Sequence, residues 1–490
     1  MTQANTRTVQ EYIDETPNWS DGTGVSATPM TVVQWRIWML ATAGKFFEGW
    51  VVFMTGVALP LIALEFDLTA AEKGMVGAAT LFGILVGATA LGSMADRYGR
   101  KAMFIAEMML FVVFLVLATM STSLIWLVVC LFGLGLALGC DYPTAHMVIS
   151  ESIPSNYRGR LVLGAFAFQA VGALVGTIIG FFILKMYPDI RDWRWMYASA
   201  VIPAFLVVIG RFFIPQSGHW LVSRGRIADA ERALGVLLHR VPKYPKHIRL
   251  RDPDVDGNGV SRRRVGSYAD LFTKKKSRRA TILASVPWFL QDLGTYGIGI
   301  FTPTILAATI GVSNASDPRN LAQVIHEGML AAKGAAIIDV LLIVGIVAAI
   351  VLADRVGRIR LQVFGFIGCA FGLLVAALSV HFTGSTQIIL IFAGFMIFNF
   401  MTNLGPNAMT YLLAGEVFPT HSRGMGAGFA ASFAKIGAVM TAFLFPILLK
   451  DIGISMLLYI LVIASLVGAW VTWRFRIETT GVSLEKIGME

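Results

Sequence analysis

Cysteine and charge are the two scarce commodities of this 490-residue chain. The three cysteines, Cys130, Cys140 and Cys369, all lie within apolar runs. They show neither paired nor metal-ligand spacing, which excludes a disulfide framework and a zinc site as organising elements. Charged residues make up 14% of the chain, against the roughly one quarter usual in soluble domains. Hydrophobic residues make up 56%, and the mean hydropathy is +0.70. That balance excludes an ordinary soluble domain. No glycine loop built to cradle phosphate, no metal-ligand cluster and no nucleophile elbow is present, so nothing points to an enzyme or to a bound cofactor. The first 30 residues are polar and lack the basic start and apolar core of a signal peptide. Residues 1–35 are therefore expected to form a short cytoplasmic tail.

What is present is a succession of apolar runs from Trp35 to Trp473, each close to the length of about 20 residues that crosses a bilayer. Spans are predicted at 36–64, 75–95, 102–120, 124–148, 161–185, 194–214, 280–310, 333–353, 360–381, 387–415, 424–448 and 453–475. The fold class is an all-α polytopic membrane protein with twelve transmembrane helices, since a barrel needs short alternating strands. The net charge of +10 would suit a nucleic-acid partner, but its location argues otherwise. Residues 215–279 hold 16 Lys and Arg against 6 Asp and Glu, which is the whole excess. Loops on the cytoplasmic side gather basic residues, and "SRRRVG" and "TKKKSRRA" suit anionic lipid headgroups. The partners expected are membrane lipids and no nucleic acid.

Two short motifs repeat in order. "DRYGR" (Asp96, Arg97, Arg100) returns as "DRVGR" (Asp354, Arg355, Arg358), and "ESIPSNYRG" (Glu151, Arg158) returns as "EVFPTHSRG" (Glu416, Arg423). The chain therefore divides into a six-helix half at 36–214, a basic linker at 215–279, a second six-helix half at 280–475 and a tail at 476–490. The four motifs follow spans two, four, eight and ten, so they share one membrane face, and their basic content makes that face cytoplasmic. Their acids and arginines are expected to pair across loops, hold the two halves together and release when the halves rock apart.

The motif Asp-Arg-x-Gly-Arg after span two, its repeat after span eight and the 6 + 6 layout resemble the major facilitator superfamily over essentially the whole chain. "PQSGHWLVSRGR" after span six is similar to the Pro-Glu-Ser-Pro-Arg-Trp-Leu signature of its sugar-porter-like branch, with departures at Gln216, Gly218 and His219. The resemblance implies a transporter of the bacterial inner membrane with both termini cytoplasmic, working as a monomer by alternating access.

Five polar side chains lie within the spans, nine to thirteen residues from a flanking loop marker. At about 1.5 Å per residue, Glu48, Asp141, Asp292, Asn407 and Lys435 all fall near the middle of a core about 30 Å thick. An ionised group there is a functional-site hypothesis by default. Lys45, one turn from Glu48, reads as a structural partner for it.

The segments around these residues resemble the phosphate:proton symporters and related bacterial metabolite:proton symporters. "GCDYPTAHMVISE", "PWFLQDLGTYG", "LGPNAMTYLLAGEVFP" and "FAKIGAV" carry the likeness. It implies a substrate site of Asp141, Tyr142, Gln169, Trp288, Asp292, Tyr296, Asn407 and Lys435. In span one the family's Asp-x-Tyr-Asp becomes Glu48-Gly49-Trp50-Val51, which keeps one acid and loses the second.

These residue types suit a small anion. Lys435, with neutral donors at Tyr142, Gln169, Tyr296 and Asn407, fits a carboxylate or oxyanion, and Trp288 adds an apolar wall. Asp141, with Asp292 and Glu48, is expected to carry the coupling proton. The function expected is therefore proton-coupled import of a small, anionic solute such as phosphate or an organic acid. Proton-coupled efflux and sugar-type uptake are the alternatives, and a non-transporting sensor would call for longer tails. His146 and Asp339 receive no role.

Overall fold

The computed structural model describes residues 7–16, 29–91, 94–186, 188–239, 248–251, 270–273, 275–311, 321–418 and 423–479. Their regular structure is helical, apart from one bridge between Arg7 and Leu250. The first half contains α1 (Val32–Glu65), α2 (Ala70–Val86, prolonged by a π-helical turn at Gly87–Leu91), α3 (Arg100–Thr119), α4 (Leu124–Ser152), α5 (Ser155–Met186) and α6 (Trp193–Ser199 continued by Val201–Phe212). The second contains α7 (Lys275–Gly311), α8 (Leu321–Val356), α9 (Arg358–Leu378) and α10 (Ser385–Leu404 continued by Pro406–Glu416). The last helix, Arg423–Arg474, has a non-helical φ of 75° at Gly453. The stretches before and after that glycine are α11 and α12. Among the described residues ten helices are long and apolar enough to cross a membrane. One of the ten is the α11–α12 pair, and α7, with 37 residues, brings the crossings to the twelve expected.

Local chemistry accounts for the ends. Thr31 begins α1 with a capping box: its hydroxyl accepts from the Gln34 amide at 3.1 Å, and the Gln34 side chain accepts from the Thr31 amide at 2.8 Å. Thr69 and Glu72 do the same for α2. The repeated Asp-Arg-x-Gly-Arg loops need their glycine. Gly99 and Gly357 sit at φ 100° and 96°, a region closed to most side chains, and each turns the chain directly into α3 or α9.

The tail and the linker carry structure of their own. In the N-terminal tail Val9–Asp14 is a helix, and Asp14 accepts from the Ser155 amide at 2.7 Å, which caps α5. The basic linker contains two helices, Gly218–Ser223 and Ile227–Leu237, packed against this tail. The "KKSRRA" portion of its second basic run is already the start of α7. Residues 252–269, including "SRRRVG", and 480–490 of the C-terminal tail lie outside the described residues.

Within the first half, Gly172 and Gly176 of α5 lie against the backbone of α1 at Phe46 and Trp50, the close approach that small residues allow between membrane helices. The two halves meet through α1 with α7, α2 with α11 and α5 with α8. The tightest of these contacts lie away from the repeated loops: Gly56 faces the Ile300 carbonyl, and a Cβ at Gly74 would stand 3.1 Å from the Phe443 carbonyl carbon. Backbone cannot yield as a flexible side chain can. Gly74→Leu is therefore expected to force α2 from α11, a cost of about 1–3 kcal/mol for overpacking. Faster labelling of a cysteine placed at Phe443 would report it; labelling at the wild-type rate would mean that the contact is not close.

Candidate functional site

A knot of charge lies between the halves. From the first half come Lys45 and Glu48 of α1 and Gln169 of α5; from the second come Asp292 and Tyr296 of α7 and Lys435 of α11. The Lys435 ammonium donates to the Tyr296 hydroxyl at 2.6 Å and to Asp292 at 3.3 Å, and stands 3.5 Å from Glu48. Tyr296 donates to Glu48 at 2.7 Å, Gln169 donates to the same carboxylate at 3.2 Å, and Lys45 pairs with its other oxygen at 2.5 Å. Glu48, Asp292, Tyr296 and Lys435 are buried. Two lysines thus face two carboxylates, and the knot is neutral as it stands. Helical register explains the convergence: Lys45 and Glu48, and likewise Asp292 and Tyr296, are one turn apart on one face.

Aromatic rings cover the side of the knot nearer the repeated loops. Tyr142 lies beneath the Lys45 ammonium, 3.5 Å from nitrogen to ring centre. Tyr411 of α10 stacks on Phe166 of α5 at 4.6 Å and meets Tyr142 and Trp288 edge-on at 6.1 Å each. Trp288 therefore touches the site through Tyr411. A cavity between α1, α4 and α5 is lined by Lys45, Glu48, Asp141, Tyr142, His146 and Tyr411, among others. A second cavity lies between Gln169 and Ala173 of α5 and Leu342, Asn403 and Asn407 of the second half. Asn407 stands just past the break in α10 at Gly405, and its side chain donates to Asn403 at 2.6 Å. It lines the space beside the knot without bonding to it.

Asp141 does not join the lysines. It accepts from Arg211 of α6 at 2.6 Å, and the same guanidinium stands 3.3 Å from Glu107 of α3 and 3.5 Å above the Phe104 ring. Arg211 is fully buried and also donates to the Phe104 and Leu40 carbonyls. Gly44 makes room for the Asp141 carboxylate, which a Cβ there would strike. Sequence reading missed both Arg211 and Glu107, although a charge inside an apolar run marks each of them. The triad has two acids and one base, so unlike the lysine knot it is one proton short of neutrality.

At the repeated loops the halves mirror each other. Arg100 donates to Glu151 at 3.1–3.3 Å, and Arg358 reaches Glu416 at 2.6 and 3.0 Å. Asp354 adds a pair to Arg358 at 3.3 Å. The Arg100–Glu151 and Arg358–Glu416 pairs each join two loops of one half, and Asp354–Arg358 lies within a single motif. The side chains of Asp96 and Arg423 lie outside the described residues. Arg97 and Arg355 are exposed, and Arg158 is half-buried near His219. In "PQSGHW" the Gln216 side chain accepts from the Lys101 amide at 3.0 Å, and Ser217 donates to Glu151, so this segment clamps the first-half pair. Burial, helped by Arg158, pushes the His219 imidazole below its ordinary pKa against the pull of Glu151.

The triad can be tested by itself. Arg211→Met leaves two buried carboxylates without a cation and should cost about 3–5 kcal/mol of stability, the range for a broken buried pair. Adding Asp141→Asn and Glu107→Gln should recover most of the lost thermal midpoint. Equal midpoints for Arg211→Met and wild type would remove the charge argument.

Comparison with known proteins places this geometry in a family. The family described as sugar (and other) transporter matches residues 37–490. The inner membrane metabolite transport protein YgcS of Escherichia coli is 28% identical over 94% of this chain and 95% of its own length. The niacin transporter NiaP of Acinetobacter baylyi is 24% identical over 92% and 96%. Among solved structures, the proton:xylose symporter XylE, in complex with 6-bromo-6-deoxy-D-glucose, superposes with a TM-score of 0.72 at 19% identity, covering 93% of this chain and 98% of its own. The superposition shows the fold of a major facilitator superfamily structure, and the family match over nearly the whole length shows a transporter and not an enzyme: the chain belongs to the sugar (and other) transporter family.

Proposed function

We propose that this transporter is a proton-coupled symporter that imports a small anionic solute, an organic acid or phosphate, by alternating access. The observation that carries the reading is the neutral knot of Lys45, Lys435, Glu48 and Asp292 between the halves. A sugar needs hydrogen-bonding groups and little charge. A pair of lysines held in readiness by two acids suits an anion, which takes over the lysines as the acids turn aside. The likeness to a niacin transporter agrees with a carboxylate as solute. Tyr142, Gln169, Tyr296 and Asn407 then supply neutral donors, and Trp288 with Tyr411 supplies an apolar wall.

The proton belongs to Asp141. It lines the same cavity as Lys45 and Glu48, and it shares the single cation Arg211 with Glu107, so the pair of acids has a place for one proton that Asp141 can take from the cavity. A protonated Asp141 lowers the negative charge that an entering anion meets, and one proton taken up with one monovalent anion leaves the buried net charge as it was in the empty site. Glu48 and Asp292 serve chiefly as counter-ions of the lysines. The repeated loops lie on the cytoplasmic face of the cell membrane, where the pairs within each half keep it rigid as the two rock. The transporter works as a monomer, with lipids around it.

Lys435→Ala should weaken binding of the anion by about 1.5–3 kcal/mol, the range for a charged hydrogen bond. Calorimetry on the purified protein, with phosphate and small organic acids as titrants, is the check. Unchanged affinity would remove Lys435 from the site.

Asp141→Asn keeps the shape of the protonated acid and removes its titration. In proteoliposomes under an inward proton gradient, uphill accumulation should be lost while exchange of internal for external solute survives. Accumulation at the wild-type level would pass the proton to Glu48 or Asp292. Loss of exchange together with accumulation would give Asp141 a role in binding or closure.

A further inference from the structure

One buried acid belongs neither to the knot nor to the triad. Asp339 lies on α8, and its carboxylate meets Thr177 of α5, so it touches both halves at once. Both side chains are buried. A turn away toward the repeated loops, Ala173 and Leu342 line the second cavity, so the pair sits beyond the end of that space. Of the elements packed on α8, the interiors of α5 and α10 offer only neutral groups to Asp339, namely Thr177 and Asn399. Lys45 and Glu48 of α1 and Asp292 and Tyr296 of α7 are engaged in the knot, and Lys333 of α8 itself is exposed. Among the described residues no cation pairs with Asp339.

Hydrogen counting adds a second observation. The Thr177 oxygen stands 2.9 Å from the Ala173 carbonyl oxygen and 2.9 Å from the Asp339 carboxylate. Both neighbours are oxygens, so two hydrogens are needed, and a hydroxyl owns one. If the threonine spends its hydrogen on the helix carbonyl, the second must come from Asp339. The Asn399 amide, at 3.4 Å from both the Ile338 carbonyl and the other Asp339 oxygen, leaves that carboxyl only a long contact on its other side.

We propose that Asp339 is a proton-binding site that latches the two halves together on the face opposite the repeated loops. With the halves closed there, the protonated carboxyl donates to Thr177 and no charge is buried. Parting α5 from α8 admits water, and the acid can ionise. Proton binding and closure of this face are then linked, each favouring the other. For its use in transport the proposal rests on the alternating-access reading, but its test needs no solute.

Spin labels on Asp67→Cys and Asp451→Cys, exposed positions in opposite halves near this face, would report its opening by distance measurement in lipid nanodiscs. In this labelled background the open-to-closed ratio should rise with pH, by up to about tenfold per pH unit for one linked proton. Asp339→Asn, which mimics the protonated acid, should remove that slope and hold the face closed in alkaline buffer. Thr177→Val keeps the acid and loses the cross-half contact, so it should raise the open fraction in acid buffer. A flat wild-type response, a full slope in Asp339→Asn, an opened face in that variant, or wild-type closure in Thr177→Val would each overturn the latch. Gradient-driven uptake is measured apart from these distances, so failure of the symport reading and failure of the latch are told apart.

Discussion

The cost of a bare charge far from water is the constraint on which the rest of this structure depends. Every ionised group in the membrane interior must find an opposite charge or a hydrogen. The chain meets this demand in three ways. Two lysines face two acids in the knot, one arginine faces two acids in the triad, and among the described residues Asp339 meets only neutral partners. Their balances differ: the knot is neutral by formal charge, and the triad holds one acid more than its single cation can match.

The clusters sit differently with respect to the two halves. The lysine knot draws on α1 and α5 from one half and α7 and α11 from the other, so it ties the halves together. The triad lies wholly inside the first half, across α3, α4 and α6. It meets the knot at a cavity that both Asp141 and Glu48 line. The matched Arg100–Glu151 and Arg358–Glu416 pairs brace each half, each fastening a loop after one helix pair to the loop after the next.

Glycine sets how closely the halves and their helices approach. Gly172 and Gly176 let α1 lie on α5, which brings Glu48 within reach of Gln169. Gly44 opens the pocket that the Asp141 carboxylate fills. At Gly56 and Gly74 the halves touch backbone to backbone. Hydrophobic burial drives little of this inside a bilayer, and packing at small residues takes its place.

Much of this was legible in the linear sequence because it follows from local rules. Apolar runs of bilayer length have no stable alternative to a helix in lipid, so twelve crossings could be counted, although α11 and α12 meet at a kink that only Gly453 marks. The duplicated motifs revealed two halves, and depth counted along each helix singled out Glu48, Asp292 and Lys435, which do converge. Pairing between helices was beyond reach. That Asp141 turns to Arg211, that the repeated loops bond within each half, and that Asp339 meets Thr177 all depend on helix rotation and on which helices are neighbours. One turn of a helix carries a side chain through every direction, so depth follows from counting residues while partners do not. Tertiary packing alone decided which charges compensate one another.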